Sequence, residues 1–418
     1  MRGMWHAAEP KSSADERRND HTSRAGLHLP LSKFSVVLPG LIFCWAATMA
    51  WSQSPPSRDR TVSNSAQFGE ALKTARDGDV INLEPGRYST AALSGLHFAQ
   101  SIVIRSRDPK HPATLVGLKL DDTAGLHFSD LELTGIGVAD DYYWFRIFDS
   151  QRLTFDHVDA HGDPSREPGV QASGFYIKGC TGIEISQSRL HDMNSAIVAG
   201  PDDQLRFVGN TFDRLSKGGI ELAAITRSLI ADNVFTNFLV DPGTHPDAIQ
   251  LFTAATKTPS RNVTISGNLY YRGKGHAIQG IFIGDEAGLP YENLTVTGNA
   301  MIGGGWHAIY IDTAAGDLIV NDNVVASWPG PNFEGDGTPA AKTAPIKIQD
   351  FYAWIKLDEG TAHAKVQETG NLAQAYVNSA QPGRQPPHNK LLGAVSDDGR
   401  ALVRAWSASH GRAPPPDL

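Results

Sequence analysis

Three short segments, THPDAIQLF, GKGHAIQGIF and WHAIYID, concentrate the side chains that can move protons. The first holds His245, Asp247 and Gln250. The second holds His276 and Gln279, preceded by Arg272 and Lys274, and the third holds His307, Tyr310 and Asp312. An imidazole titrates near neutral pH and takes a proton, a phenol gives one, and amides or cations hold an anion meanwhile. Asp247 would orient a histidine, or hold calcium together with Asp312. Any one of these groups on a wet surface is ordinary. Their joint occurrence at matching positions of three segments makes a candidate site.

The matching positions come from a strand pattern: SGFYIK, SAIVAG, GGIELA, DAIQLF, QGIFIG, HAIYID and APIKIQ. Their inward pairs read Phe175/Ile177, Ile197/Ala199, Ile220/Leu222, Ile249/Leu251, Ile281/Ile283, Ile309/Ile311 and Ile346/Ile348. An apolar residue in every such slot is a period-two pattern with one buried face. A second motif keeps time between these strands. Asn210, Asn233, Asn268, Asn299 and Asn323 end the runs LRFVGN, LIADN, VTISGN, LTVTGN and LIVNDN, at intervals of 23, 35, 31 and 24 residues. Three residues before each Asn stands Phe207, Ile230, Ile265, Val296 or Val320. Uneven spacing above a floor in the low twenties is expected of a coil with loops of free length between its strands. The Asn residues would form a ladder in the turns, where Asn tolerates a left-handed backbone and its amide bonds along the stack.

Stacking such coils sorts the outward residues into columns. Asp247, Gln279 and His307 fall in one row, and Gln250, Phe282 and Tyr310 in another, with Tyr176, Glu221 and Lys347 at equivalent positions of other coils. The shortest passage from a ladder Asn to the next inward residue is 10 residues, whereas Asn233 to Ile249 takes 16, Asn268 to Ile281 takes 13 and Asn323 to Ile346 takes 23. The insertions therefore rim one face, where loops on a rigid scaffold carry binding chemistry. Parallel strands repeat every ~4.8 Å, close to the length of one sugar unit, so the column offers one subsite per coil to a polysaccharide. Tyr176, Lys178, Glu221, Gln250, Arg272, His276, Gln279, Phe282 and Lys347 are the expected substrate contacts.

Ahead of the coils, residues 67–76 carry helical apolar spacing at Phe68, Ala71, Leu72 and Ala75, and GDVINLEPGRY follows over residues 78–88. A short helix there would cover the open first coil. The helix, the Gly-Asp-x-Ile-x-Leu-x-Pro-Gly-x-Tyr entry and the Asn-punctuated coils resemble the pectin lyase-like superfamily over about residues 61–350. The resemblance implies an all-β chain wound as a single right-handed parallel β-helix. It implies less about reaction, because that superfamily includes polysaccharide lyases, glycoside hydrolases, uronate epimerases and phage tailspikes.

Cleaving a uronate polymer by β-elimination needs the C5 carboxylate neutralised, a base for the C5 proton and an acid for the leaving oxygen. His245 or His307 suits the base and Tyr310 the acid, while Gln250, Gln279, Arg272 or Lys274 would neutralise the carboxylate. Asp247 and Asp312, two coils apart, suit an inverting hydrolase instead, with Glu221 a further carboxylate. A C5-epimerase is the lyase without departure of the leaving group. A non-catalytic glycan-binding surface protein is the remaining alternative, and it predicts binding without turnover.

The remaining composition sets limits. The net charge of −8, with scattered Lys and Arg, argues against a nucleic-acid groove. Only Cys44 and Cys180 are present, so no disulfide framework exists. The apolar run 34–50 after Lys33 reads as a secretory segment cleaved near residues 51–54, within an extension over 1–53. An uncleaved membrane anchor is its bland alternative. The polar stretch before Lys33 is long for such a segment, which suggests a true start downstream of Met1. An exported monomer without stable membrane association is the expectation. After residue 350 the alternation fades, so residues 351–418 read as a cap over the last coil and a disordered tail.

Overall fold

Short strands with one apolar face need a partner one coil away, and parallel winding supplies it at constant register. The computed structural model describes residues 57–89, 92–138, 141–240, 246–305, 307–328, 354–378, 386–395 and 398–415. Within them each coil contributes one strand to each of three parallel sheets. Sheet A carries runs such as Arg206–Val208, Arg261–Ser266 and Tyr291–Thr297, which lead into the ladder Asn residues. Sheet B follows the ladder, with Thr211–Leu215, Val234–Thr236, Leu269–Tyr271 and Ala300–Ile302. Sheet C holds Ser173–Lys178, Ile197–Ala199, Ile220–Ala223, Asp247–Phe252, Gln279–Ile283 and the first half of His307–Asn321.

The inward pairs expected from Phe175 to Ile311 are all buried, none more than 2 % exposed. Ile220, Ile249, Ile281 and Ile309 stack in one column through direct pairing. Full burial of such a side chain is worth about 2–3 kcal/mol, so the columns are the main source of cohesion along the axis.

The Asn ladder forms as expected and is longer. Asn233 shows its chemistry: its Oδ1 accepts the Asn210 backbone N–H at 2.9 Å and the Asn210 amide at 3.1 Å. Its own amide donates to Phe207 O at 2.8 Å and to Asn268 Oδ1 at 2.9 Å. The same bonds recur at Asn268, Asn299 and Asn323, and continue to Asn371 and Asn389. One expectation needs correction. The left-handed residue in each turn is the one before the Asn, namely Gly209, Asp232, Gly267, Gly298 and Asp322. That twist aims the Asn side chain into the stack, and the Asn itself keeps an ordinary backbone.

The coil also runs past residue 350. Trp354–Gly360 pairs with His307–Asn321 and places Ile355 and Leu357 above Ile309 and Ile311. Ile346, Lys347 and Ile348, expected in that rung, lie outside the described residues. Further strands reach Lys390–Leu391 in sheet B.

Helix α1 (Ser65–Lys73) covers the first coil with Phe68, Ala71 and Leu72. It starts earlier than the apolar spacing alone indicates because Asn64 caps it, accepting the Gln67 N–H at 3.0 Å. Among the described residues, the carboxy-terminal helix packs on the side of the coil and not over its last rung. Helix α2 (Arg400–Ser409) lies along sheet B, burying Val403 and Trp406 against Leu269, Tyr271, Ala300 and Ile302. Those four outward residues are apolar and require a cover, which explains where the segment goes. The tail beyond α2 is held too, with Arg412 donating to Asp232 O at 2.9 Å. The apolar run 34–50 and the region 51–54 lie outside the described residues.

Candidate functional site

The outward face of sheet C arranges the proton-moving residues in the two expected rows. Asp247 pairs with Gln279, and His307, two residues before Ile309, continues that row to Trp354. Glu221, Gln250, Phe282, Tyr310 and Lys356 follow one another in the second row. His245 and Lys347 lie outside the described residues. Lys356 takes the position expected of Lys347. It escaped notice in the sequence because two Ile-rich alternations, APIKIQ and WIKLDE, compete for one rung, and pairing alone selects between them.

The upper rungs bring the reactive types together. The His307 and Tyr310 rings stack at 5.0 Å and 25°, and Phe282 stacks on Tyr310 from the coil below at 4.8 Å. Lys356 Nζ sits 5.0 Å from the Tyr310 ring centre and 2.9 Å from Asp358 Oδ2. The Tyr310 hydroxyl donates to the same Asp358 oxygen at 3.1 Å. Burial, followed by the charge of Asp312 and the Asp358 contact, pushes the Tyr310 phenol well above its ordinary value. The Tyr310 phenol therefore stays protonated at physiological pH. His307, Tyr310, Phe282 and Gln250 are partly exposed, so this cluster can be reached from solvent.

One rung lower the carboxylates are withdrawn. Asp247 is 2 % exposed and Glu221 is 7 % exposed. Glu221 accepts the Ser195 hydroxyl at 2.6 Å and pairs with Lys217 at 3.2 Å. Gly218 makes this possible, because any side chain there would collide with the Glu221 carboxyl. The Glu221 head thus fills the place below Asp247 in the first row, about 5 Å away by sheet spacing.

Several expected roles do not survive. Asp312 stands three residues after Ile309, whereas Asp247 stands two before the paired Ile249. Those five positions separate the two carboxylates by about 16 Å along the strand direction, beyond the two coils between them. That offset is too wide for an inverting pair or a shared calcium. Asp312 instead accepts the Asp285 N–H at 3.1 Å. Among the described residues, no three His, Cys, Asp or Glu side chains converge as a metal site. Arg272 is buried in the turn between sheets B and C, donating to Gly303 O at 2.6 Å and Trp328 O at 2.8 Å. His276 Nδ1 accepts the Val240 N–H at 3.1 Å. Both residues hold loops.

The other end of the groove is aromatic. Tyr176 occupies the second row five rungs from Tyr310, about 24 Å away. Tyr143 stacks on it at 4.6 Å, and Phe148 meets it edge-on at 5.4 Å. Lys178 is exposed on the same strand. Nothing in the alternation marked Tyr143 or Arg146 as partners of this rung. A cavity of about 470 Å³ opens at this end, lined by Ile136, Tyr142 and Trp144 on one side and by Asp163, Arg166 and Val170 on the other.

The family model described as right handed beta helix region matches residues 117–327. No curated protein matches the chain. Among solved structures, an alginate lyase from Paenibacillus sp. str. FPU-7 is 17% identical with a TM-score of 0.46, over 76% of this chain and 99% of that one. A surface adhesin of Streptococcus pneumoniae is 12% identical with a TM-score of 0.45, over 79% of this chain and 87% of that one. The A-module of an Azotobacter vinelandii mannuronan C-5 epimerase is 13% identical with a TM-score of 0.39, over 79% of this chain and 100% of that one. Those activities belong to those proteins. What this chain has in common with them is the coiled fold that its own strand pairing displays.

Proposed function

The chain belongs to the right-handed β-helix family, and on that footing we propose that it is an exported enzyme that cleaves a uronate-containing polysaccharide by β-elimination. The observation that carries this reading is the stack of His307 on Tyr310 at 5.0 Å with Lys356 beside the same ring. Lys356 and Gln279 hold the sugar carboxylate and stabilise the charge that develops when C5 loses its proton. His307 takes that proton. The C5–H electrons form the C4–C5 double bond, the C4–O bond breaks, and the leaving oxygen receives the Tyr310 proton. Base and acid sit on one side of the groove, which suits removal of proton and leaving group from the same face of the ring.

Hydrolysis by Glu221 and Asp247 is the weaker reading. Their spacing suits a carboxylate pair, yet both heads are buried and Glu221 is engaged by Ser195 and Lys217. The test is to incubate purified protein with a panel of uronate and neutral polysaccharides, following ultraviolet absorbance and reducing ends together. Elimination raises both signals. Reducing ends without an absorbing product replace the lyase by a hydrolase, and binding without either replaces it by a glycan-binding protein. Export is supported by the apolar run 34–50. The secreted protein is expected to begin near residues 51–54 on amino-terminal sequencing; an intact leading segment on a cytoplasmic product refutes it.

A further inference from the structure

The aromatic end of the groove has features that the reaction at His307 does not use. Tyr142 is 64% exposed although its ring is held edge-on to Tyr143 at 4.9 Å, and Tyr143 is in turn stacked on Tyr176. A bulky aromatic ring kept in water by two others behind it is a rigid platform, and its face suits the C–H face of a sugar. Val170 and Ile136, 66% and 39% exposed, flank the same cavity of about 470 Å³, a volume within the range of small-ligand sites. The charge is also unbalanced. Lys119 and Arg146 are row neighbours of Tyr176 and share the single carboxylate of Asp141, leaving one cation in excess on these rungs. Arg166, exposed on the cavity wall, is balanced by Asp163 on the same wall, so the excess rests with Lys119 and Arg146.

We infer that this end is a non-catalytic binding station for the distal stretch of the same anionic polysaccharide whose cleavage at His307 was proposed above. Its occupant follows from charge and continuity. The platform lies on the same outward face of sheet C as the reactive cluster, five rungs and about 24 Å away, so one extended chain of five or six sugar units reaches both. A short oligomer bound at His307 ends before Tyr142. The station therefore makes the protein favour long chains over short ones, by adding contacts that only a long chain can make.

Tyr142→Ala tests this with little risk to folding, because the ring is mostly in solvent. On an acidic polymer the variant should show KM raised about three- to tenfold with kcat unchanged, the range expected for one lost aromatic platform. On tri- and tetrasaccharides of the same polymer KM and kcat should match the wild type. Equal loss on short and long chains, or no loss on either, overturns the station. Affinity electrophoresis of wild type and Tyr142→Ala in gels containing acidic or neutral polysaccharide supplies a readout independent of turnover. If wild type cleaves nothing but is retarded by the acidic polymer, and Tyr142→Ala is retarded less, the elimination reading fails and the station stands. Absence of retardation by the acidic polymer, or equal retardation of both proteins, removes the station.

Discussion

Two edges of the coil are made from the same chain in the same turns, and they obey opposite rules. From Asn210 onward, the edge between sheets A and B is constant in residue type and length: a left-handed residue, then an Asn whose amide bonds to the coils on either side. At the edge between sheets B and C, lengths vary freely, from the direct passage of Thr211–Leu215 to Ile220–Ala223 up to the long excursion between Val324–Ala326 and Trp354–Gly360. One constant turn suffices to hold parallel register, since every strand downstream of it inherits the same start. The other edge is then released to carry loops, cavities and reactive side chains. The difference teaches that this repeat separates the residues that set its spacing from those that do its chemistry.

If that separation is real, substitutions at the two edges should fail in different measurements. His307→Ala and Tyr310→Phe should lower kcat about 100- to 10,000-fold, the worth of a lost acid or base, with thermal unfolding nearly unchanged. A large fall in melting temperature for Tyr310→Phe would make the hydroxyl a structural group and erase the contrast. Asn268→Ala should do the reverse. It removes both side-chain partners of its neighbours and leaves the buried Asn233 N–H and Ile230 O without theirs. A loss of about 3–5 kcal/mol in urea unfolding is expected, with activity per folded molecule intact. A kinetic defect at matched stability would show that the two edges are coupled.

The third edge, between sheets C and A, sharpens the comparison because it holds a group in conflict with its surroundings. Asp202 is 6% exposed, accepts the Cys180 N–H at 2.6 Å, and is pushed up to about 6, with burial the largest cause. The folded state therefore holds this proton more tightly than the unfolded chain does. Stability should fall as pH rises from about 4 to about 6 and stay lower above. Asp202→Asn should remove that fall and gain about 2 kcal/mol at pH 8, with no gain at pH 4. Equal unfolding curves at pH 8 would refute the conflict.

The smallest effect belongs to the outer face of sheet B. His191 lies between Asp159 at 2.9 Å and Asp192 at 2.6 Å, stacked on His161 and close to Arg189, while Arg214 holds the far oxygen of Asp192. Burial works against its charge, but the hydrogen bonds to Asp159 and Asp192 prevail and raise its pKa. Its contribution is complete below pH about 6.5 and is lost as pH climbs through the raised folded value. Wild type should lose stability across that window relative to His191→Gln, measured by melting at successive pH values. A flat difference would mean the imidazole stays neutral.

Alternation and Asn spacing identified the coil from the residues alone, because both are local: a period of two names a face, and an Asn at a turn has few other uses. Every inward residue from Phe175 to Ile311 could be named on that basis, and both reactive rows followed from counting. Offsets along the strand direction do not follow from counting coils, which is why Asp247 and Asp312 looked like partners. The choice of Trp354–Gly360 as the last reactive rung depended on which of two similar segments found the free edge above Ile309. Residue types and their period thus dictated that the chain winds and which side chains face outward, since each coil obeys the same short-range rule. Which outward groups meet was left to long-range packing: Gly218 makes room for the Glu221 head, α2 covers sheet B, and Lys356 arrives beside Tyr310 from 46 residues downstream. No periodic signal encodes such meetings, because they join positions whose separation is set by loops of free length.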